Sequence, residues 1–127
     1  MQYLRALPFL AVLLVVLFTG LRPDPVPQMF DHQDKLHHMA GFAAFAFTLR
    51  FSFPRLHWLL VVLSSLTAAL AIELLQGALP LRTPSFGDML ANCLGVVCGL
   101  SASLLLRWWL ARGGEGAGEA GAAASGA

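Results

Sequence analysis

Eight polar side chains interrupt otherwise apolar sequence: Asp34, Lys35 and His38, then Glu73 and Gln76, then Arg82, then Asp88 and Asn92. Their types suffice for two kinds of chemistry. Lys35, Arg82 and His38 could hold an anion, with the carboxylates orienting those donors. Alternatively Glu73 or Asp88 could act as general base and His38 as acid or base, with Arg82 stabilising developing negative charge. No activated nucleophile, Gly-rich phosphate cradle or metal box accompanies them. His37 and His38 are adjacent, hence about 100° apart on a helix, whereas two ligands on one helical face need a spacing such as His-x-x-x-His. Neither a metal nor another cofactor is therefore expected. Binding is the leading reading and catalysis the open alternative.

The elements that position these residues follow from composition. Charged residues are only 12% of the 127-residue chain and apolar residues 57%, which is the balance of a membrane protein and not of a soluble domain. The net charge of +1 suggests neither a nucleic-acid footprint nor an acidic partner. Four apolar stretches, about 6–21, 36–53, 57–79 and 87–111, are separated by turn-forming clusters. Each is near the length that crosses a bilayer, and only helices satisfy their own backbone there. The predicted fold is therefore all-α: a polytopic membrane protein with four transmembrane helices in an up-and-down bundle, forming one domain over residues 1–112.

Three segments need separate comment. Arg5 before a short apolar core is also the pattern of a secretory signal, but no small-x-small cleavage site follows, so an uncleaved span is adopted. "RPDPVPQMFDHQDK" reads as an extended loop because of its prolines. Residues 113–127, "GGEGAGEAGAAASGA", read as a disordered tail. Cys93 and Cys98 match no redox or metal spacing and read as small packing residues.

Four alternating spans bring certain ends together whatever their detailed packing. The start of span two, the end of span three and the start of span four share one face, which gathers all eight polar residues. Orientation follows from Lys and Arg in the connections: Arg5, Arg50, Arg55, Arg107 and Arg112 inside, Arg22, Lys35 and Arg82 outside. Both termini are then cytoplasmic and the polar set faces outward. Trp108 and Trp109 read as an aromatic anchor at the inner surface.

Helical spacing defines the faces. Asp88, Asn92, Gly95, Gly99 and Ser103 form one stripe on span four, and Asp34, His38, Gly41 and Phe45 one side of span two. Small residues at such positions let helices approach closely in lipid, so Gly41, Gly95, Gly99 and Ser103 are read as packing positions. Glu73 would lie about 9 Å inside the end of span three, where a carboxylate needs a partner. Arg82 is the partner expected for it. Each polar residue also has a structural reading. Ser85 with Asp88 fits a capping box, Asp34 could cap span two, Lys35 and Arg82 could snorkel, and Gln76 and Asn92 could bond between helices.

The order "DKLHH", "ELLQ", "LRTPSFGDMLANCLG" resembles the VanZ-like family of small bacterial membrane proteins. The family pattern is Asp-Lys-x-x-His, Glu-x-x-Gln, Arg, then Asp-x-x-x-Asn-x-x-Gly. Here it falls on Asp34, Lys35, His38, Glu73, Gln76, Arg82, Asp88, Asn92 and Gly95, with Phe42 where the family often has Tyr. The resemblance covers roughly residues 30 to 105. It implies a protein of the bacterial cytoplasmic membrane with an outer-face polar site, in a family associated with low-level teicoplanin resistance, and supplies no reaction. The ligand expected is a membrane lipid phosphate or a lipid-linked cell-wall precursor. A proton-linked carrier would need a homo-oligomer to supply its walls.

Overall fold

The computed structural model describes residues 3–126. A 3-10 turn, Tyr3–Ala6, leads into α1, Leu7–Gly20; then come α2, Gln33–Ser52, α3, Trp58–Gln76, and α4, Phe86–Ser125. Among the described residues there is no strand. Local chemistry sets the boundaries. Pro8 stands in the first turn of α1, where its missing N–H is not needed. α2 stops just before Pro54, and the His57 ring caps α3 by accepting the Leu59 N–H at 3.2 Å. Ser85 caps α4, its hydroxyl accepting the Asp88 N–H at 3.4 Å.

The tail differs from expectation, because α4 continues as helix to Ser125. Once a helix is nucleated, adding residues is cheap, and the alanines after Gly116 are the best helix formers. α3 is shorter than the apolar stretch suggests: it ends at Gln76, and successive turns at Ala78, Leu79 and Arg82 lead toward α4. Glu73 is thus in the last turn of α3, about 4.5 Å from its end at 1.5 Å per residue, and not two turns deep.

The helices alternate in direction. At one end Gln76 Nε2 donates to Gly20 O at 2.7 Å, tying the end of α3 to the end of α1. At the other, Arg107 donates to Pro54 O at 3.1 Å, tying α4 to the α2–α3 connection, and Phe9 meets Phe45 edge-on at 5.2 Å. Three helical segments are long and apolar enough to cross a membrane: Tyr3–Gly20, Trp58–Gln76 and Phe86–Gly114. α2 is not among them, since it carries Asp34, Lys35, His37, His38 and Arg50. It occupies the middle of the bundle, and its most extensive partner is α4.

Close backbone approach explains that pairing. A Cβ on Gly95 would run into Met39 O and the Ala43 N, and one on Gly99 into Ala43 O. Only glycine allows α4 to lie so close to α2, the small-residue packing used where lipid gives no hydrophobic drive. Ser103 is buried one turn on and bonds its own helix at Leu100 O, 2.7 Å. Gly41 faces α1 instead, where a Cβ would make an ordinary 3.6 Å contact with Val16. The core beneath comprises Val16, Phe42, Phe45, Ala46, Leu49, Val61, Ala69, Ile72, Val96 and Leu100. Outside it, Leu14, Phe18, Leu74, Leu105 and Trp109 are each at least 64% exposed, an apolar surface that suits acyl chains and not water.

Candidate functional site

The eight polar residues gather at the end of the bundle where α1 and α3 finish and α2 and α4 begin, but they divide into two neighbouring groups. His38, in the second turn of α2, belongs to both.

The first group is an acid–imidazole cluster between α2, α3 and α4. His38 Nδ1 lies 3.0 Å from Asn92 Oδ1 and 3.6 Å from Glu73 Oε1, while Nε2 lies 3.7 Å from Asp88 Oδ2. Lys35 Nζ stands 3.6 Å from both Asp34 and Asp88, and so has its charge shared between two carboxylates. Glu73, Asp88 and Asn92 are buried, at 5%, 7% and 0% exposure. Glu73 Oε2 accepts the Ser85 N–H at 3.4 Å, whereas Glu73 Oε1, Asp88 Oδ1 and Asn92 Nδ2 have no hydrogen-bond partner among the described residues. Unmatched buried polar atoms are costly, and of these three only Asp88 Oδ1 has a charged neighbour, the Lys35 ammonium at 3.6 Å.

The second group edges a cleft of about 380 Å³ between α1, the loop after it and α2. Val15, Val16, Val26, Ala40, Phe42 and Ile72 make its apolar wall. Asp34, His37, His38, Gln76 and Arg82 supply its polar edge. Lys35, Glu73, Asp88 and Asn92 do not line it.

Arg82 does not meet Glu73, contrary to the sequence expectation. Its Nε donates to Arg22 O at 3.3 Å and its Nη2 to Thr19 O at 3.4 Å. The reason is local: Thr19 in the last turn of α1 and Arg22 just beyond it offer carbonyls without helical donors at the negative end of the helix dipole, which attract a guanidinium. Glu73 turns instead to His38 and the Ser85 N–H. Two capping assignments also change. Asp34 pairs with Lys35, and His32, in the left-handed region at φ 62°, occupies the cap position of α2 without a side-chain bond. Asp88 leaves capping to Ser85 and turns its carboxylate toward Lys35 and His38.

The cleft wall from α1 had no counterpart in the sequence reading. α1 is uniformly apolar, so no periodicity distinguishes its cleft face from its lipid face. At the opposite end, Arg112 stacks over the Trp108 ring at 4.1 Å, the cation–π pairing of an interfacial anchor.

An all-helical chain with membrane-length apolar segments, a glycine-mediated helix crossing and a polar site confined to one end defines a small integral membrane protein. The chain belongs to the VanZ/LLP1 family, whose model matches residues 9–107 and so takes in α1, α2, α3 and α4 as far as Arg107. No curated protein and no solved structure matches it significantly.

Proposed function

We propose that all four helices cross the bacterial cytoplasmic membrane, with both termini in the cytoplasm, and that the cleft between α1 and α2 binds an anionic cell-envelope ligand at the outer face. The ligand class is an amphiphile with an acidic head: a lipid phosphate or a lipid-linked cell-wall precursor. One observation carries the reading. The cleft joins an apolar wall to a rim holding Arg82, whose guanidinium has only carbonyl partners among the described residues, beside His37, His38 and Gln76. Acyl chains suit the wall and a phosphate suits a planar fork of donors. Lys35 is the weaker candidate for the head group, because Asp34 and Asp88 already neutralise it.

α2 fits a fourth span by length, since its 20 residues extend about 30 Å. Its polar first turns would lie at the outer surface, and its charge at the other end is Arg50. Occupying an envelope precursor in this way would link the protein to low-level teicoplanin resistance, the trait associated with the family it resembles.

A second reading is favoured by the His38 ring, which lies between two buried carboxylates. There Glu73 or Asp88 would act as general base and His38 would relay the proton, on a lipid-linked substrate held in the same cleft. Mass spectrometry of lipids co-purified with the wild type and with Arg82→Ala tests the main reading. Retention of an anionic lipid that the variant loses supports it, and equal retention contradicts it. Conversion of an added lipid, abolished by Glu73→Gln, would favour the second.

A further inference from the structure

α2, α3 and α4 each send one metal-competent side chain to a common point. One ligand atom from each of His38, Glu73 and Asp88 lies within 4.8 Å of the other two. We propose that this trio binds a divalent metal ion of the zinc or manganese kind, a role separate from the anion contact at Arg82.

Burial and bonding point the same way as proximity. Glu73 is 95% buried by its 5% exposure, and its Oε1 atom, 3.6 Å from His38 Nδ1, has no hydrogen-bond partner among the described residues, whereas Asp88 Oδ1 already faces the Lys35 ammonium at 3.6 Å. A carboxylate oxygen without a donor in such surroundings is costly, and a cation satisfies it directly. Charge gives a second argument. The Lys35 ammonium stands beside Asp34 and Asp88, Arg82 is turned to carbonyls at the end of α1, and among the described residues neither Lys nor Arg pairs with Glu73. A cation bound at the trio would supply the counter-charge that Glu73 lacks.

The imidazole has one nitrogen held by a neighbour and the other beside a carboxylate. With Asn92 Oδ1, 3.0 Å from Nδ1, accepting a proton there, Nε2 carries the lone pair on the side of Asp88 Oδ2 at 3.7 Å, and Glu73 Oε1, 3.6 Å from Nδ1, reaches the ion by turning toward Nε2. A ligating histidine is commonly held by such a bond from its other nitrogen. Ligand atoms around an ion at about 2.0–2.2 Å stand about 3.0–3.5 Å apart, a contraction within reach of side-chain torsions. One nitrogen and two carboxylates suit zinc or manganese better than copper or a soft-metal site, and three protein ligands leave a position for water or a ligand oxygen. The site has no single-helix signature because each ligand comes from a different helix.

The test uses the full chain in detergent, purified through a tag without histidine, stripped with chelator and equilibrated with Zn²⁺, Mn²⁺ or Mg²⁺. Metal content is read by mass spectrometry, and a Co²⁺-loaded sample by its visible ligand-field bands. The wild type is expected to hold one Zn²⁺ or Mn²⁺ per chain, with Mg²⁺ bound weakly. His38→Ala, Glu73→Gln and Asp88→Asn should each weaken binding by more than about 100-fold, beyond what loss of an outer-shell partner produces. Arg82→Ala should retain the ion, so failure of the anion reading leaves this result standing. Absence of bound Zn²⁺ and Mn²⁺ from the wild type at micromolar free metal would overturn the proposal. So would retention unchanged in Glu73→Gln, which keeps the size of the side chain, or a Co²⁺ spectrum no different from the ion in buffer.

Discussion

His38 and Asn92, separated by 54 positions, meet at 3.0 Å between α2 and α4 just above the point where the two backbones touch at Gly95. This bond fixes the ring that links the buried acids to the cleft. Removing Asn92 should therefore both loosen the helix pair and free the imidazole. Asn92→Ala is expected to lower stability by about 0.6 kcal/mol and at most about 1.7 kcal/mol, the range found for interhelical polar contacts within a membrane protein. With chelator present, thermal unfolding in detergent should show His38→Ala costing less in the Asn92→Ala background than in the wild type, because the two act through one contact. Full additivity would show that they do not.

The glycines of α4 should differ sharply from that of α2. Gly95→Ala and Gly99→Ala put a methyl group into the Met39 and Ala43 backbone, which has no rotamer to yield. Each is expected to cost at least about 1–3 kcal/mol, the usual penalty for overpacking. Gly41→Ala meets only Val16 at 3.6 Å and should be neutral or slightly stabilising. Denaturation midpoints of the three variants check the order, and a destabilised Gly41→Ala would contradict the packing described.

Membrane side can be read from single cysteines in a background with Cys93 and Cys98 replaced. Lys35→Cys and Arg82→Cys belong to the same end of the bundle, and Arg55→Cys and Arg112→Cys to the other. An impermeant maleimide added to intact cells should label the first pair and spare the second. Labelling of Lys35→Cys and Arg82→Cys from opposite faces would remove α2 as a span.

Much of this arrangement is legible in the sequence, and the parts that are not have physical causes. Alternation of four apolar stretches is enough to gather Asp34, Lys35, His38, Glu73, Gln76, Arg82, Asp88 and Asn92 at one end, since helix direction alone decides it. The stripe from Asp88 to Ser103 similarly names the face of α4 that meets α2. Pairings within the gathered set are a different matter, because they depend on loop path. The run from Gly77 to Pro84 carries Arg82 across to α1, and no pattern in those residues announces the carbonyls of Thr19 and Arg22 as its partners. For the same reason the trio of His38, Glu73 and Asp88 is invisible to any search for ligand spacing along one chain segment. In the tail the glycines dominate the composition and obscure the helix-forming alanines between them, along which α4 runs to Ser125.

Binding of an acidic amphiphile in the cleft edged by Arg82 can be measured by native mass spectrometry in defined lipid. Wild-type protein should bind phosphatidylglycerol at least about tenfold more tightly than phosphatidylethanolamine, equivalent to about 1.4 kcal/mol. Arg82→Ala should erase that preference, and Ala40→Trp, which fills the apolar wall without touching the rim, should weaken both lipids. Equal affinity for the two lipids in the wild type, or a preference for phosphatidylglycerol undiminished in Arg82→Ala, would contradict it.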